Sequence, residues 1–251
     1  MDFTLFAYNH LILTFQTQGY LFQNFEGYIK NPKVKVIILR HDVDRLPGNS
    51  LKTALLENEL GIRATYFFRT IPKTFRPEII EQIADLGHEI GYHYEDLSLC
   101  NGNYESAIKH FESNLEKFRK IYPVKTICMH GSPLSKWDNR DLWKEYNYRD
   151  FGIIAEPYFD INFNDVFYLT DAGRSWNNEN VSIRDKVKSD FKYKIHSTND
   201  IINLIKNKNL ANKLMINIHP HNWAEKRTQW MKILLWQNAK NVIKRSIIHW
   251  R

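Results

Sequence analysis

Arg40, His41, Asp42 and Asp44 stand almost without a gap behind the apolar run Val36–Leu39, and two further histidines, His93 and His219, also follow apolar runs. A carboxylate and an imidazole can hold a divalent ion and leave positions open for water. A second carboxylate beside them can take that water's proton, and an imidazole across the site can protonate a leaving group. Asp42, Asp44, His93 and His219 supply these parts, which suffice to hydrolyse an amide or ester. Each residue alone also has a plainer use. An aspartate after a strand often caps the next helix, and a lone histidine is often a satisfied structural residue.

The elements that must position these groups follow from hydrophobic period and punctuation. Val36–Leu39 is too short for a helix and rich in β-branched residues, as expected of a parallel strand buried on both faces. Further strands are predicted at 64–68, ending at Arg69, and at 88–91, delivering His93. Others follow at 126–129, ending in His130, and at 151–155, ending in Glu156. The last three are 167–170, ending in Asp171, 193–195, ending in His196, and 214–218, ending in His219. Between them the spacing predicts helices over 51–60, with Ser50 as cap and Gly61 as stop, and from Pro77 to the turn at Gly87. A long amphipathic helix follows from Tyr104 to Phe118, another over 201–206 capped by Thr198 or Asn199, and a terminal one over 224–248. Residues 1–33 read as a helical or irregular lead-in, and 156–192 carry little helix signal. Strands alternating with helices predict an α/β fold with about seven or eight parallel strands. If the sheet closes into a barrel, the ionisable strand ends meet on one face. At 251 residues one domain, 1–251, is expected.

Formal charge is +7, with basic residues spread rather than blocked. No polybasic run or nucleic-acid motif is present, so nucleic acid is not an expected partner, and the charge favours an acidic substrate or an anionic surface. Cys100 and Cys128 have neither metal spacing nor the density of a disulfide scaffold. The start, MDFTLFAYNHLILTF, is a poor signal peptide, and a cytoplasmic setting is expected. The terminal helix sets Trp230, Ile233, Leu234 and Leu235 beside Lys232, Lys240, Lys244 and Arg245. It either covers the barrel or makes peripheral contact with a membrane.

Three stretches in order, Ile38-Leu39-Arg40-His41-Asp42-Val43-Asp44, GIRATYFF (Gly61–Phe68) and GHEIGYH (Gly87–His93), resemble the polysaccharide deacetylases, carbohydrate esterase family four. The resemblance is close over residues 34–97. Beyond them, LMINIH (Leu214–His219) and DAGRSW (Asp171–Trp176) resemble later motifs of that family. It implies a distorted (β/α) barrel and metal-dependent removal of an acyl group, such as acetyl, from an N- or O-acylated sugar. Asp42 would then be the general base, Asp44 and His93 metal ligands, and His219 the general acid. Asp171 and Trp176 would sit in the site wall, orienting His219 or packing on the sugar.

Three departures bear on the site. Val43 separates the two aspartates, although alternation along a strand can still send both to one side. Leu97 occupies the position of the family's second ligating histidine. His130-Gly131-Ser132-Pro133 replaces an Arg-x-Pro element, so His130 is expected as a third ligand from a neighbouring strand end. The competing reading is a carbohydrate-binding barrel that has lost its metal, and a third is an amidohydrolase of non-sugar amides. Glu95 and Asp96 are candidates to orient His93, and Arg40, Arg69 and Arg174 to bind a phosphate or carboxylate on the substrate. His221 and Trp223 are expected at the mouth, and His88 as structural. The cofactor expected is zinc, with nickel or cobalt compatible. The substrate expected is a nucleotide- or lipid-linked precursor in surface polysaccharide biosynthesis.

Overall fold

The structure, a computed structural model, describes residues 1–176 and 184–249. Residues 177–183, in the stretch of weak helix signal, and the side chains of Lys244 and Arg245 lie outside the described set. In chain order come α1 (Leu5–Thr17), β1 (Leu21–Gln23), α2 (Phe25–Lys30), β2 (Val36–Val43), α3 (Pro47–Glu59), β3 (Thr65–Phe68), α4 (Pro77–Asp85) and β4 (Glu89–Tyr94). Then follow α5 (Asp96–Leu99), α6 (Tyr104–Arg119), β5 (Ile127–Met129), α7 (Pro157–Asp160), β6 (Phe167–Thr170), α8 (Thr198–Lys206), β7 (Lys213–Ile218) and α9 (Arg227–His249). No described helix is long and apolar enough to cross a membrane.

The strands form one parallel sheet in the order β5-β4-β3-β2-β7-β6, with β1 paired to the first half of β2. It is an α/β distorted barrel, and β5 and β6 are not paired to each other among the described residues. Alternation divides the apolar residues into two cores. Ile37, Leu39, Tyr66, Phe68, Ile90, Tyr92, Leu214 and Ile216 face the helices. Ile38, Phe67, Cys128 and Met215 fill the concave interior with Phe25 and Ala155. Gly91 is part of that interior packing. A Cβ there would fall 2.3 Å from the Phe67 ring, so only glycine lets the ring lie across β4.

Several boundaries differ from expectation. The strand at 36–39 extends to Val43 and is buried throughout, so Arg40, His41 and Asp42 belong to the strand itself. Apolarity alone understates a strand whose concave face carries the chemistry. Likewise β4 runs on through His93. Helix α3 starts earlier than expected, with Pro47 at its first turn after a left-handed Leu46, and the expected cap Ser50 is buried inside it. Ser197, rather than Thr198 or Asn199, caps α8 in a reciprocal pair with Asp200.

Two expected strands do not form. The stretch 151–155 contributes only an isolated bridge from Ala155 to Thr126. Glu156 turns the chain there instead, accepting the N–H groups of Met129 (3.1 Å) and Tyr158 (2.6 Å). Around Tyr193, Phe191 and Tyr193 pack on Phe167 outside any ladder. The lead-in is more regular than expected. It supplies α1, whose Thr4 side chain caps Ala7 N–H, and the edge strand β1.

Candidate active site

The concave ends of β2, β4, β5 and β7 open on a cavity of about 330 Å³. That is at the low end of the range for small-molecule sites, about 300–1,000 Å³. Asp42, Asp44, Arg45, Arg69, His93, His130, His219 and His221 line it, together with Gln237 and Lys240 of α9. Arg40, Asp42 and Asp44 share the concave side of β2, because Val43 only spaces the two acids by the strand period.

Asp44 is the point of convergence. Its Oδ1 lies 3.5 Å from His93 Nε2 and 3.5 Å from His130 Nε2, and it has no hydrogen-bond partner among the described residues. Both rings are fixed from behind. His93 Nδ1 donates to the Cys128 carbonyl at 2.9 Å, and His130 Nδ1 donates to Glu95 Oε2 at 3.0 Å. These bonds anchor both rings at Nδ1 and direct both Nε2 atoms at Asp44. Arg69 in turn clamps Glu95 with two bonds of 2.6 and 2.8 Å. Burial would raise the Glu95 carboxyl, but His130 and Arg69 outweigh it and hold it at about 2. Burial would likewise raise Asp44, yet His130, His93 and His219 keep it well below the usual carboxylate range.

The donor chemistry suits a divalent cation. Two imidazole nitrogens on rings anchored at Nδ1 each approach one carboxylate oxygen that has no hydrogen-bond partner among the described residues. A second set, Asp42, His93 and Cys128, brings three donor atoms within 4.8 Å of one another. Burial pushes the Cys128 thiol far up, so it stays protonated, and Asp42 already carries a cationic partner. The first set is therefore the stronger holder.

Asp42 Oδ2 accepts from Arg40 Nη2 at 3.1 Å and from Asn217 Nδ2 at 2.8 Å, while Oδ1 has no partner among the described residues. Burial opposes ionisation of Asp42, but Arg40 and the neighbouring histidines lower its pKa. Across the cavity, His219 Nδ1 donates to Asp171 Oδ1 at 2.6 Å, and its Nε2 lies 3.9 Å from Asp44 Oδ2. Asp171 is itself fixed by the His219 N–H (2.9 Å) and by Trp223 Nε1–H (2.7 Å). Burial disfavours the imidazolium, but Asp171 more than compensates and raises His219 to about 9. His221 behaves oppositely: burial and the Arg45 charge hold it well below its ordinary value. Asp42, with one unpartnered acceptor oxygen, and His219, kept protonated at neutral pH, thus line one cavity with Asp44. That arrangement can take a proton on one side of a substrate and give one on the other.

Five residues expected in the site, as substrate contacts or as orienting groups, do not line the cavity. Arg40 is fully buried, paired with Asp42 and lying over the rings of Tyr158 and Tyr168. Arg174 stacks on Phe3 and Trp230. Trp176 is buried against Phe3 and Trp223, its Nε1–H donating to Thr198. Glu95 and Asp171 each back a histidine and do not line the cavity. Asp171 takes the orienting one of its two expected places, Glu95 backs His130 rather than His93, and Arg40, Arg174 and Trp176 are packed as support away from the cavity. The other expected orienting acid, Asp96, turns outward to Tyr92 and His110, which burial of the strand's outer face favours. Leu97 is wholly buried, and His130 from β5 stands beside His93.

Sequence reading missed Asn217, Arg45, Gln237 and Lys240. Asn217 carried a signal, since it is the polar residue at strand period from His219 within LMINIH. Arg45 directly follows Asp44, whereas Gln237 and Lys240 come from a helix whose approach no local pattern fixes.

No protein-family model matches the sequence, and no curated protein does. Among solved structures, a family 4 carbohydrate esterase from Bacillus anthracis is similar at 15% identity, covering 90% of this chain and 83% of its own, with a TM-score of 0.46. Bacillus subtilis PdaA, also a family 4 carbohydrate esterase, is similar at 14% identity, with 92% and 84% covered and a TM-score of 0.44. A CE4 family pseudoenzyme from Bacillus anthracis, BA3943, is similar at 12% identity, with 84% of this chain and 63% of that chain covered and a TM-score of 0.46. At these identities and scores the likeness transfers no function to this chain.

Proposed function

We propose that the chain is a divergent polysaccharide deacetylase-like hydrolase that removes an acyl group from an N- or O-acylated sugar with a bound divalent metal. The observation that carries this reading is the convergence of His93 Nε2 and His130 Nε2 on Asp44 Oδ1, each at 3.5 Å, between Asp42 and His219. The ordered motifs of residues 34–97 support it independently. Asp44, His93 and His130 would hold the ion. Two imidazoles and a carboxylate favour zinc, with nickel or cobalt compatible. An ion bound there supplies Lewis-acid polarisation of the acyl carbonyl and a more acidic water.

The chain's own groups do the proton work. Asp42, kept ionised by Arg40 and Asn217, accepts the proton of the attacking water at its free Oδ1. His219, held protonated by Asp171, donates to the leaving nitrogen or oxygen as its bond to the acyl carbon breaks. Asp171 itself, fixed by Trp223, keeps the ring's Nε2 directed at the cavity. Arg40, from the same strand as Asp42, supplies the cation that keeps that carboxyl ionised. A precursor handled in the cytoplasm fits the free thiols Cys100 and Cys128.

Acetate release from N-acetylated sugars, measured on metal-stripped and zinc-reloaded protein, tests the reading. Release that appears on reloading and falls by about two to four orders of magnitude in Asp42→Asn is expected. Binding of the sugar with no release under either condition would replace the hydrolase by a carbohydrate-binding barrel.

A further inference from the structure

Helix α9 presents two unlike faces. The inner one holds it to the barrel. Trp230 Nε1–H donates to the Asp2 carbonyl at 2.6 Å, Gln237 is buried and lines the cavity, and Asn241 donates to the Gly173 carbonyl at 2.9 Å. On the outer face Arg227, Met231 and Leu235 form one row at four-residue spacing, and Lys232, Trp236 and Lys240 form the next. Met231, Leu235 and Trp236 are 53%, 69% and 59% exposed. Arg227 and Lys232 are exposed among them and make no ion pair with a described residue. A helix that merely covers a barrel turns its large apolar side chains inward. Three of them together in solvent mark a contact surface instead.

The chain's excess charge is gathered on the same element. Basic residues are spread along the sequence, but most are balanced by acids. The 35 Lys and Arg exceed the 28 Asp and Glu by seven, and from Lys226 to Arg251 stand seven basic residues and no acid. Glu225, just ahead of that stretch, is already paired with Lys52. The outer face also adjoins the cavity mouth, since Lys240 lies over the Trp236 ring and lines the cavity. Two exposed leucines from other elements flank that mouth. Leu46 follows the cavity-lining Arg45, and Leu134 follows the cavity-lining Pro133.

We propose that the outer face of α9 seats the protein on an anionic lipid bilayer, with the cavity mouth beside the headgroups. Met231, Leu235 and Trp236 enter the boundary between headgroups and acyl chains. Arg227 and Lys232 lay their stems along that boundary and bring their charges to anionic headgroups. Neither contribution suffices alone: the apolar contact is small, and the charge is screened by salt within about 10 Å at 0.1 M. Together they are what holds an interfacial helix in place. The seat is independent of the deacetylase reading, because none of these side chains takes part in the proposed reaction.

Flotation of the full chain with lipid vesicles tests the seat. The probes are vesicles of phosphatidylcholine alone and of phosphatidylcholine and phosphatidylglycerol in equal parts. Binding to the mixed vesicles should be at least about ten-fold tighter than to the neutral ones and should weaken as salt is added. Leu235→Gln combined with Trp236→Gln should cut binding to the mixed vesicles by at least about ten-fold. Arg227→Gln combined with Lys232→Gln should narrow the preference for anionic lipid. Val34→Gln, at an exposed apolar residue ahead of β2 and so at the other end of the barrel, should change nothing. All these side chains are exposed, and thermal unfolding of each variant checks that the fold is kept. Binding to neither vesicle type, equal binding to both, or binding untouched by the Leu235 and Trp236 substitutions would overturn the seat. So would a dimer in sedimentation that those two substitutions break, which would give the face to a second copy of the chain. Vesicle binding without acetate release from N-acetylated sugars would leave the seat standing and remove the hydrolase reading.

Discussion

His219 Nδ1 stands 2.6 Å from Asp171 Oδ1, and the same oxygen accepts the His219 backbone N–H at 2.9 Å. One carboxylate therefore sets both the ring and the backbone that carries it. Trp223 fixes the other oxygen at 2.7 Å, so the acid cannot turn away. An acid held this way keeps the imidazole oriented and charged at once.

The pair gives a pH dependence with a definite sign. Burial would lower His219, but Asp171 raises it to about 9, above the unfolded value of about 6.5. Its contribution to stability is complete below about pH 6.5 and is lost as pH rises through about 9. As proton donor it also becomes incompetent over that upper range, so the turnover rate should fall as pH rises through about 9. Asp171→Asn removes the largest raising charge and leaves burial opposed only by Asp44 and Asp42, so the alkaline limb should move to lower pH. A pH–rate profile checks this, and a limb unmoved by the substitution would detach Asp171 from His219.

The general-acid role separates substrates by leaving group. His219→Gln should cut amide hydrolysis by about 10²–10⁴-fold, because the amine cannot leave unprotonated. An activated ester, whose leaving group needs no proton, should lose far less. Parallel rate measurements on an N-acetylated sugar and a nitrophenyl ester decide it. Equal losses would return His219 to a structural role.

Behind the sheet, a buried acid ties the fold together. Glu57 Oε1 lies 2.7 Å from His41 Nε2 and accepts from Tyr8, while Oε2 accepts from Tyr66 at 2.8 Å. Burial opposes its charge, but His41 and the other donors bring its pKa below the usual range. Glu57→Ala leaves those buried donors unpaired and should destabilise the protein by about 3–5 kcal/mol. Chemical denaturation measures it, and a loss within about 0.5 kcal/mol, as at an ordinary surface site, would contradict the network's weight.

The motifs carried much of this, for physical reasons. Asp42, Asp44, His93, His130 and His219 were legible because each ends or leaves an apolar run, and strand ends of a parallel sheet converge. What stayed hidden depended on tertiary approach. Arg40 looked like a substrate contact because one residue's facing cannot be told from its charge, and in the structure it lies beneath Asp42. Glu57 looked like an ordinary helix residue, since only the α3 packing turns it onto His41. The stretch 151–155 has strand composition but does not join the ladder, because Glu156 satisfies Met129 N–H in place of a partner strand.

The position of a bound ion tests the metal centre most directly. Crystals soaked in zinc and measured at the zinc absorption edge should show one anomalous peak within about 2.0–2.2 Å of Asp44 oxygen, His93 Nε2 and His130 Nε2. His130→Ala should abolish that peak or cut its occupancy sharply. A peak at the Asp42, His93 and Cys128 set, or full occupancy with the His130 ring turned away, would contradict the assignment of His130 as the third ligand.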